Sequence, residues 1–327
     1  MSINTQLSNR PNLSIVVPVY NGAETISELV MRLNRVLPTL SEKYEVILVN
    51  DGSLDQSWAE ITRLADGYAW VRGINLMRNY GQHNATLCGI RAARFDVTVT
   101  MDDDLQHLPE EIHKLLDKLV EGFDVVYGVP RKMPHSWWRN LFSYLIKRGM
   151  ALVIRVKNVH DFAAFRAFHT SLRQAFQGYQ NPNVLVDALL SWGTTRFNTV
   201  QVEELPRASG RSNYNFARLF EYSMVVLTGF STLPLRLTSL LGFAFTIVGI
   251  FLFLYVIGVY FIDGSVPGFP FLASAISIFS GVQMFALGII GEYLARIFDR
   301  SMDRPPYVVR NIVEANSAPP ASEAGQG

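Results

Sequence analysis

Three consecutive carboxylates, Asp102, Asp103 and Asp104, follow the short apolar run from Asp96 to Met101. Adjacent carboxylates repel, and burying such a cluster is costly unless a cation compensates. If the extended geometry persists, side chains alternate, so Asp102 and Asp104 share one side and Asp103 takes the other. That pair, with Gln106 nearby, offers oxygen ligands to a hard divalent cation such as Mg²⁺ or Mn²⁺. The matching substrate group is a diphosphate, whose charge on departure the metal neutralises. The triplet also reads as a solvated acidic turn or helix cap, since Pro109-Glu110-Glu111 opens the next helix. Asp51, in Asn50-Asp51-Gly52-Ser53, has two readings as well: an Asx-type turn, or a contact to a base or ribose.

The elements that position these groups follow from periodicity. Leu13 to Val19 and Tyr44 to Asn50 are short β-branched apolar runs, read as buried strands. Between them, Ile26, Leu29, Val30, Leu33 and Val36 have the spacing of an amphipathic helix over Glu24 to Leu37. A helix over Ser57 to Asp66, a strand over Val71 to Leu76, a helix over Gln82 to Arg94 and a strand over Asp96 to Met101 follow. This alternation predicts an α/β fold with a mostly parallel sheet and helices on both faces. Ligands in such sheets bind beyond the carboxyl ends of the strands. Tyr20-Asn21, Asp51 and Asp102 to Asp104 all stand at that edge.

Of the 327 residues, 49% are hydrophobic and only 17% charged, and the shortfall of charge lies after about residue 220. The net charge of +1 and the lack of a Lys/Arg-rich run give no footprint for nucleic acid. Cys88 is the only cysteine, which excludes an intrachain disulfide and a clustered-cysteine metal site. Residues 1–12 are a polar tail, neither a signal peptide nor a spanning helix. The part that follows, 13–213, is therefore expected to fold on the side where it is made.

From Leu237 to Ile262 no residue is charged, roughly 26 positions or about 39 Å as a helix. That is enough to cross a ~30 Å hydrocarbon core with some tilt. After Asp263 to Pro267 a second uncharged run covers 267–291, and a transmembrane hairpin is the simplest reading; two buried core helices are the alternative. Arg218 and Arg236 precede the first span, Arg296, Arg300, Arg304 and Arg310 follow the second, and the linker has no Lys or Arg. The positive-inside rule then places both termini and the 13–213 domain in the cytoplasm, with the chain in the inner membrane. Residues 136–156, with Trp137 and Trp138 among Arg139, Lys147 and Arg148, read as an interfacial helix, as do 214–236. An ordinary domain helix with a basic edge is the other reading. Residues 292–327 are expected to be a cytoplasmic tail, disordered after about 316.

These motifs carry a resemblance. Ile15 to Asn21 (IVVPVYN), Val49 to Ser53 (VNDGS), Asn79 to Gln82 (NYGQ) and Met101 to Gln106 (MDDDLQ) resemble glycosyltransferase family 2, which has the GT-A fold. Gly281-Val-Gln283, Gly288 to Arg296 and Arg304 to Tyr307 are similar to the membrane end of its polyprenyl-phosphate branch. That branch holds bactoprenol glucosyltransferases, aminoarabinose undecaprenyl-phosphate transferases and dolichol-phosphate mannose synthases. The resemblance implies that Pro18, Tyr20 and Asp51 contact the nucleotide and that Asp102 and Asp104 serve the metal and diphosphate, with Gln106 beside them. It implies that Asp161 lines the acceptor site, that Arg166 binds phosphate, and that Arg207 lies in a loop closing over both phosphates. Arg131, Arg139, Arg166 and Arg207 are the candidates for a phosphate clamp, each with a plain surface-charge alternative. The chain departs from the family at Gly22, where Glu is common, at Asp103, where Ala is usual, at His160 and at Asn213.

The implied reaction is inverting transfer from a nucleotide-sugar, a UDP-sugar preferred, to a polyprenyl phosphate of the undecaprenyl type, for cell-envelope glycan modification. A phosphate monoester has its second pKa near ~6 and hardly needs a general base. Asp161 is then an orienting group rather than an obligatory proton acceptor. A lipid-hydroxyl acceptor and a non-catalytic scaffold are the rival readings. A processive polysaccharide synthase is a third, for which no Gln-x-x-Arg-Trp element is found. Small residues in the apolar runs permit a homo-oligomer, with a tetramer implied by the resemblance.

Overall fold

A computed structural model describes residues 10–130, 163–205, 233–263 and 268–314. The chain divides into two compact units, Met1–Asn213 together with Arg304–Gly327, and Tyr214–Asp303.

In the first unit, β1 (Leu13–Val19), β2 (Tyr44–Asn50), β3 (Val71–Leu76) and β4 (Val97–Thr100) run parallel. They alternate with α1 (Ile26–Leu40), α2 (Ser57–Gly67) and α3 (Gln82–Ala92). A 3-10 turn and α4 (Ile112–Val120) lead into β5 (Val125–Pro130). β6 (Arg166–His169) then inserts antiparallel between β4 and β5. α5 (Val186–Gly193) and β7 (Phe197–Val202) follow. Among the described residues the strands form one eight-stranded sheet, β7-β5-β6-β4-β1-β2-β3-β8, with only β6 and β8 against the common direction. The expected α/β architecture with a mostly parallel sheet is what the chain adopts.

The core explains the strand compositions. Every residue of β1 is buried, because α1, α2 and α4 cover one face of the sheet and α3 and α5 the other. Strands covered on both faces read as continuous apolar runs rather than alternating ones. Pro18 inside β1 is tolerated for a local reason. The ladder to β4 stops at Val16↔Thr100, and the carbonyls of Val16 and Val19 face β4 and the β2 side respectively. The N–H that Pro18 lacks would therefore face β4 where no partner strand continues.

β8 (Val309–Glu314) differs from the expectation of a tail beginning at 292. The second long helix continues to Ser301, and the chain then pairs antiparallel with β3 at the sheet edge. Two arginines secure it: Arg72 reaches Glu314 at 2.9 Å and Glu45 at 2.8 Å, and Arg94 reaches Glu314 at 2.8 Å. The buried Asn84 amide donates to the Pro306 carbonyl at 2.6 Å and the Pro182 carbonyl at 2.8 Å.

The second unit holds α6 (Leu233–Asp263) and α7 (Phe269–Ser301), longer than the expected spans of 237–262 and 267–291. They pack on one another through Phe245 and Phe279, edge to face at 5.8 Å. Phe243, Phe251, Tyr255, Phe285 and Leu294 are exposed on their surface. Among the described residues one helix, through Ile278–Ala295, is long and apolar enough to cross a membrane; the apolar stretch Leu235–Phe251 of the other is shorter. Both proposed interfacial helices, 136–156 and most of 214–236, lie outside the described residues.

Candidate active site

Three loops meet at the carboxyl ends of β1, β2 and β4. The loop after β1 is laced to the loop after β2. Asn21 has φ 54°, a left-handed conformation that Asn tolerates. Its backbone N–H donates to Ser53 Oγ at 3.0 Å, and its side-chain oxygen accepts from Leu54 N at 2.9 Å. Gly22 N donates to Ser57 Oγ at 2.9 Å, and Ala23 N to Asp55 Oδ2 at 3.2 Å. Tyr20, 47% exposed, is the apolar side chain the loop offers to solvent, whereas Pro18 is buried beneath it. Between these two residues, only Tyr20 presents a surface to a ligand.

In the turn after β2, Asp51 is buried and is not the residue that caps the Asx-type turn. It is Asn50 whose side-chain oxygen accepts from Ser53 N, at 3.3 Å. Asp51 instead points toward the loop after β3, accepting from Tyr80 N at 2.7 Å and Gly81 N at 2.9 Å. Burial pushes its carboxyl above the ordinary value, and those two N–H groups pull the other way. Gly52, at φ +65°, is required here: an added Cβ would stand 2.4 Å from the Arg78 carbonyl carbon.

The carboxylate triplet leaves the extended conformation directly after β4, and Leu105 has φ 60°. The three side chains therefore separate less simply than strand alternation predicts. Asp102 Oδ1 accepts a hydrogen bond from the Gln82 side-chain amide, at the start of α3. Asp104 Oδ1 accepts from Gln106 N at 3.1 Å. Asp103 turns inward toward Gly22, and its Oδ2 is buried with no hydrogen-bond partner among the described residues. Burial first, then the charges of Asp102 and Asp104, push the Asp103 carboxyl up to about 7, against the pull of the Tyr20 backbone N–H and its own.

Gln106 and His107 connect this turn to the chain after β7. Gln106 Nε2 lies 3.5 Å from the Leu205 carbonyl, and Leu205 N donates to the Gln106 carbonyl at 3.0 Å. His107 stacks on Phe165 at 5.2 Å and its Nε2 is 3.4 Å from Glu204. The chain thus reaches residue 205 beside Gln106.

No group of three or more His, Cys, Asp or Glu side chains converges as a metal cage among the described residues. A Mg²⁺-class ion commonly takes one or two carboxylates and completes its shell with water and substrate phosphate. Asp102 and Asp104, both part-exposed oxygen donors, fit that role.

Arg166 is a different matter. Its guanidinium is buried, ion-paired to Asp187, and its Nε donates to Thr100 Oγ1 at 3.0 Å. Tyr127 donates to the same Asp187 oxygen at 2.9 Å. Burial works against the Arg166 charge, but Asp187 and Tyr127 outweigh it. The structure brings Arg166 into a core network instead of the open edge where a phosphate clamp would need it. Arg131 directly follows β5, and Arg131, Arg139, Asp161 and Arg207 lie outside the described residues. Gln82, whose signal in the sequence is a glutamine opening a helix within the Asn79 to Gln82 motif, joins the site through Asp102.

Comparison with known proteins agrees with this geometry. Residues 14–177 match the sequence model of Glycosyl transferase family 2. The chain is 33% identical over 310 residues to the undecaprenyl-phosphate 4-deoxy-4-formamido-L-arabinose transferase of Pseudomonas paraeruginosa, covering 93% of this chain and 91% of that protein. The enzyme of the same name from Aeromonas hydrophila is 33% identical over 323 residues, covering 96% and 98%. An uncharacterized glycosyltransferase of Synechocystis is 31% identical over 305 residues, covering 92% and 95%. Among solved structures, glucosyl-3-phosphoglycerate synthase from Mycobacterium tuberculosis, in complex with Mn²⁺, UDP and phosphoglyceric acid, superposes with a TM-score of 0.51 at 18% identity. The match covers 69% of this chain and 79% of that one. The chain belongs to glycosyl transferase family 2: it is a glycosyltransferase built on the GT-A fold.

Proposed function

We propose that this glycosyltransferase moves a sugar from a nucleotide-sugar, a UDP-sugar foremost, onto the phosphate of undecaprenyl phosphate, with inversion at the anomeric carbon. The observation that carries the reading is the convergence of Tyr20, Asp51 and the Asp102 to Asp104 turn at one edge of the sheet, in a chain whose full-length relatives are named for undecaprenyl-phosphate sugar transfer. UDP and Mn²⁺ are the nucleotide and metal bound by the mycobacterial enzyme that shares the fold.

The chemistry follows from what the residues offer. Tyr20, on its laced loop, provides a face for the base, and the buried Asp51 acts through the Tyr80–Gly81 turn that it holds rather than by presenting its own carboxylate. Asp102 and Asp104, with Gln106 beside them, would hold a divalent ion, Mg²⁺ or Mn²⁺, which when bound would neutralise charge on the departing diphosphate. An acceptor phosphate oxygen attacks the anomeric carbon in line as the bond to the nucleoside diphosphate breaks. With its second pKa near ~6 that phosphate is already largely dianionic, so positioning and charge neutralisation dominate over base catalysis. Asp161, Arg131, Arg139 and Arg207 are proposed to orient the acceptor and the two phosphate groups.

Membrane attachment is part of the proposal. β7 and β8 belong to one sheet, which favours an even number of crossings in the chain between them. The two crossings proposed are α6 and α7, and the arginines at their outer ends support a catalytic unit on the cytoplasmic side under the positive-inside rule.

The test is transfer of labelled sugar from a panel of UDP- and GDP-sugars to undecaprenyl phosphate, with Mg²⁺, with Mn²⁺ and with EDTA. A lipid product from one donor, lost in EDTA, is expected. A folded, metal-supplied enzyme that labels only a lipid hydroxyl, or nothing, would overturn the acceptor assignment.

A further inference from the structure

Gly22 and Asp103 lie 81 positions apart in the chain and touch in the fold. A Cβ added at Gly22 would stand 2.2 Å from Asp103 Oδ2, 3.1 Å from its Cγ and 3.3 Å from Val19 Cγ1. Separations under 3.0 Å are not seen for real Cβ atoms, so one of the two groups would have to move. The group that would yield is the far end of the Asp103 side chain, which would have to swing out of its place while the chain on either side stays held. Gly22 is pinned through its N–H to Ser57 Oγ at 2.9 Å, and its carbonyl accepts from Thr25 and Ile26 at the start of α1. Asp103 is held between Asp102, which Gln82 grips, and Asp104, which the Gln106 N–H grips. Gly22 does not have positive φ, so it is space and not backbone conformation that demands a glycine.

We propose that Asp103 is a positioning residue: its carboxylate fills the place of a side chain at position 22 and sets the distance between the Tyr20–Gly22 loop and the Asp102–Asp104 turn. The loop carries the nucleotide face and the turn carries the diphosphate carboxylates, so the pair fixes the span between the two ends of the donor. The contact is between an unpartnered buried oxygen and a bare Cα, which makes it a packing stop that neither residue can supply alone. The inference rests on the donor-site reading above, but not on which lipid accepts the sugar.

The experiment is a double-mutant cycle on the full-length protein, reading binding of UDP in the presence of Mn²⁺ by calorimetry, with thermal unfolding recorded for every variant. Gly22→Ala is expected to weaken UDP binding at least tenfold. In the Asp103→Ala background the same Gly22→Ala change should cost less than threefold, because the obstructing carboxylate is gone. In the Asp103→Asn background, where the shape is kept and the charge removed, Gly22→Ala should again cost about tenfold. In the transfer assay the loss should fall on the donor KM and leave the acceptor KM within threefold. Equal losses for Gly22→Ala in all three backgrounds, or wild-type binding by Gly22→Ala, would overturn the proposal. Should Gly22→Ala fail to fold, restoration of folding by Asp103→Ala supports the packing stop and its failure to restore overturns it. Because the binding assay needs no acceptor, it stands apart from the test of undecaprenyl phosphate as acceptor.

Discussion

The side-chain amide of Gln82 donates to Asp102 Oδ1, joining the first turn of α3 to the first carboxylate after β4. A carboxylate that must meet a cation gains from being aimed before the ion arrives, because the ion then does not have to order it. Hydrogen bonds to charged groups contribute about 1.5–3 kcal/mol. Gln82→Ala should therefore raise the Mn²⁺ concentration for half-maximal transfer about tenfold, in line with ~1.4 kcal/mol. At saturating Mn²⁺, kcat should fall only about threefold. Gln82→Glu should be worse than Ala, since it sets a like charge against Asp102. A metal titration of the three proteins decides this, and an unchanged half-saturation point would remove Gln82 from the site.

Asp102 and Asp104 make a sharper prediction. Each offers a part-exposed carboxylate and neither belongs to the hydrophobic core. Substituting Asn keeps the shape and removes the charge. Asp104→Asn should lower kcat at least 100-fold, about 3 kcal/mol of transition-state stabilisation. Its unfolding temperature should stay within about 2 °C of the wild type, because a surface change away from the core usually costs under about 0.5 kcal/mol. Wild-type turnover by this variant would defeat the metal assignment.

Arg166 should behave in the opposite way. It is buried against Asp187 with Thr100 and Tyr127 completing the network, so removing it strands a buried carboxylate. Breaking such a pair costs about 3–5 kcal/mol, whereas replacing both partners by apolar residues is often close to neutral. Arg166→Met should lower stability by about 3 kcal/mol. Arg166→Met combined with Asp187→Leu should recover most of that loss. The donor KM of the folded double variant should remain within threefold of the wild type. A large rise in KM with unchanged stability would instead make Arg166 a phosphate contact.

How much of this was legible in the sequence depends on how local the cause is. β1 and β2 are apolar, β-branched runs ended by turn residues, so the strands and the site edge beyond them follow from composition alone. β6 is only four residues long and begins with a buried arginine, which makes sense once Asp187, 21 residues on, is packed beside it. β8 follows two long apolar helices and looks like the start of a tail. Its partner residues on β3 are some 240 positions earlier, with Arg72 and Glu314 242 apart. Gly22 and Asp103 are each visible as departures from a pattern, yet their complementarity exists only where the chain brings them into contact. Local periodicity carries short-range information, whereas β6, β8 and the Gly22–Asp103 contact are pairings between distant segments.

The return of β8 to the sheet gives the last prediction. Glu314 accepts from Arg94 at 2.8 and 3.0 Å and from Arg72 at 2.9 Å, and it is the last residue of that edge strand. Burial alone would raise its carboxyl pKa, but the two arginines outweigh burial and hold it below the ordinary 4.5. A group depressed in the folded state contributes stability that is fully present above its unfolded pKa and is lost as the pH falls through the folded one. The side chain is 40% exposed, so screening keeps the contribution small and local. At pH 7, Glu314→Gln should speed amide exchange across Val309–Glu314 a fewfold and leave β1 and β2 unchanged. As the pH is lowered below 4.5 the wild-type strand should lose its advantage and converge on the variant. Exchange measured by mass spectrometry at several pH values reads this directly. A Glu314→Gln effect that persists undiminished in acid would show that packing of Val313 on Gly73, and not the ion pairs, holds the strand in place.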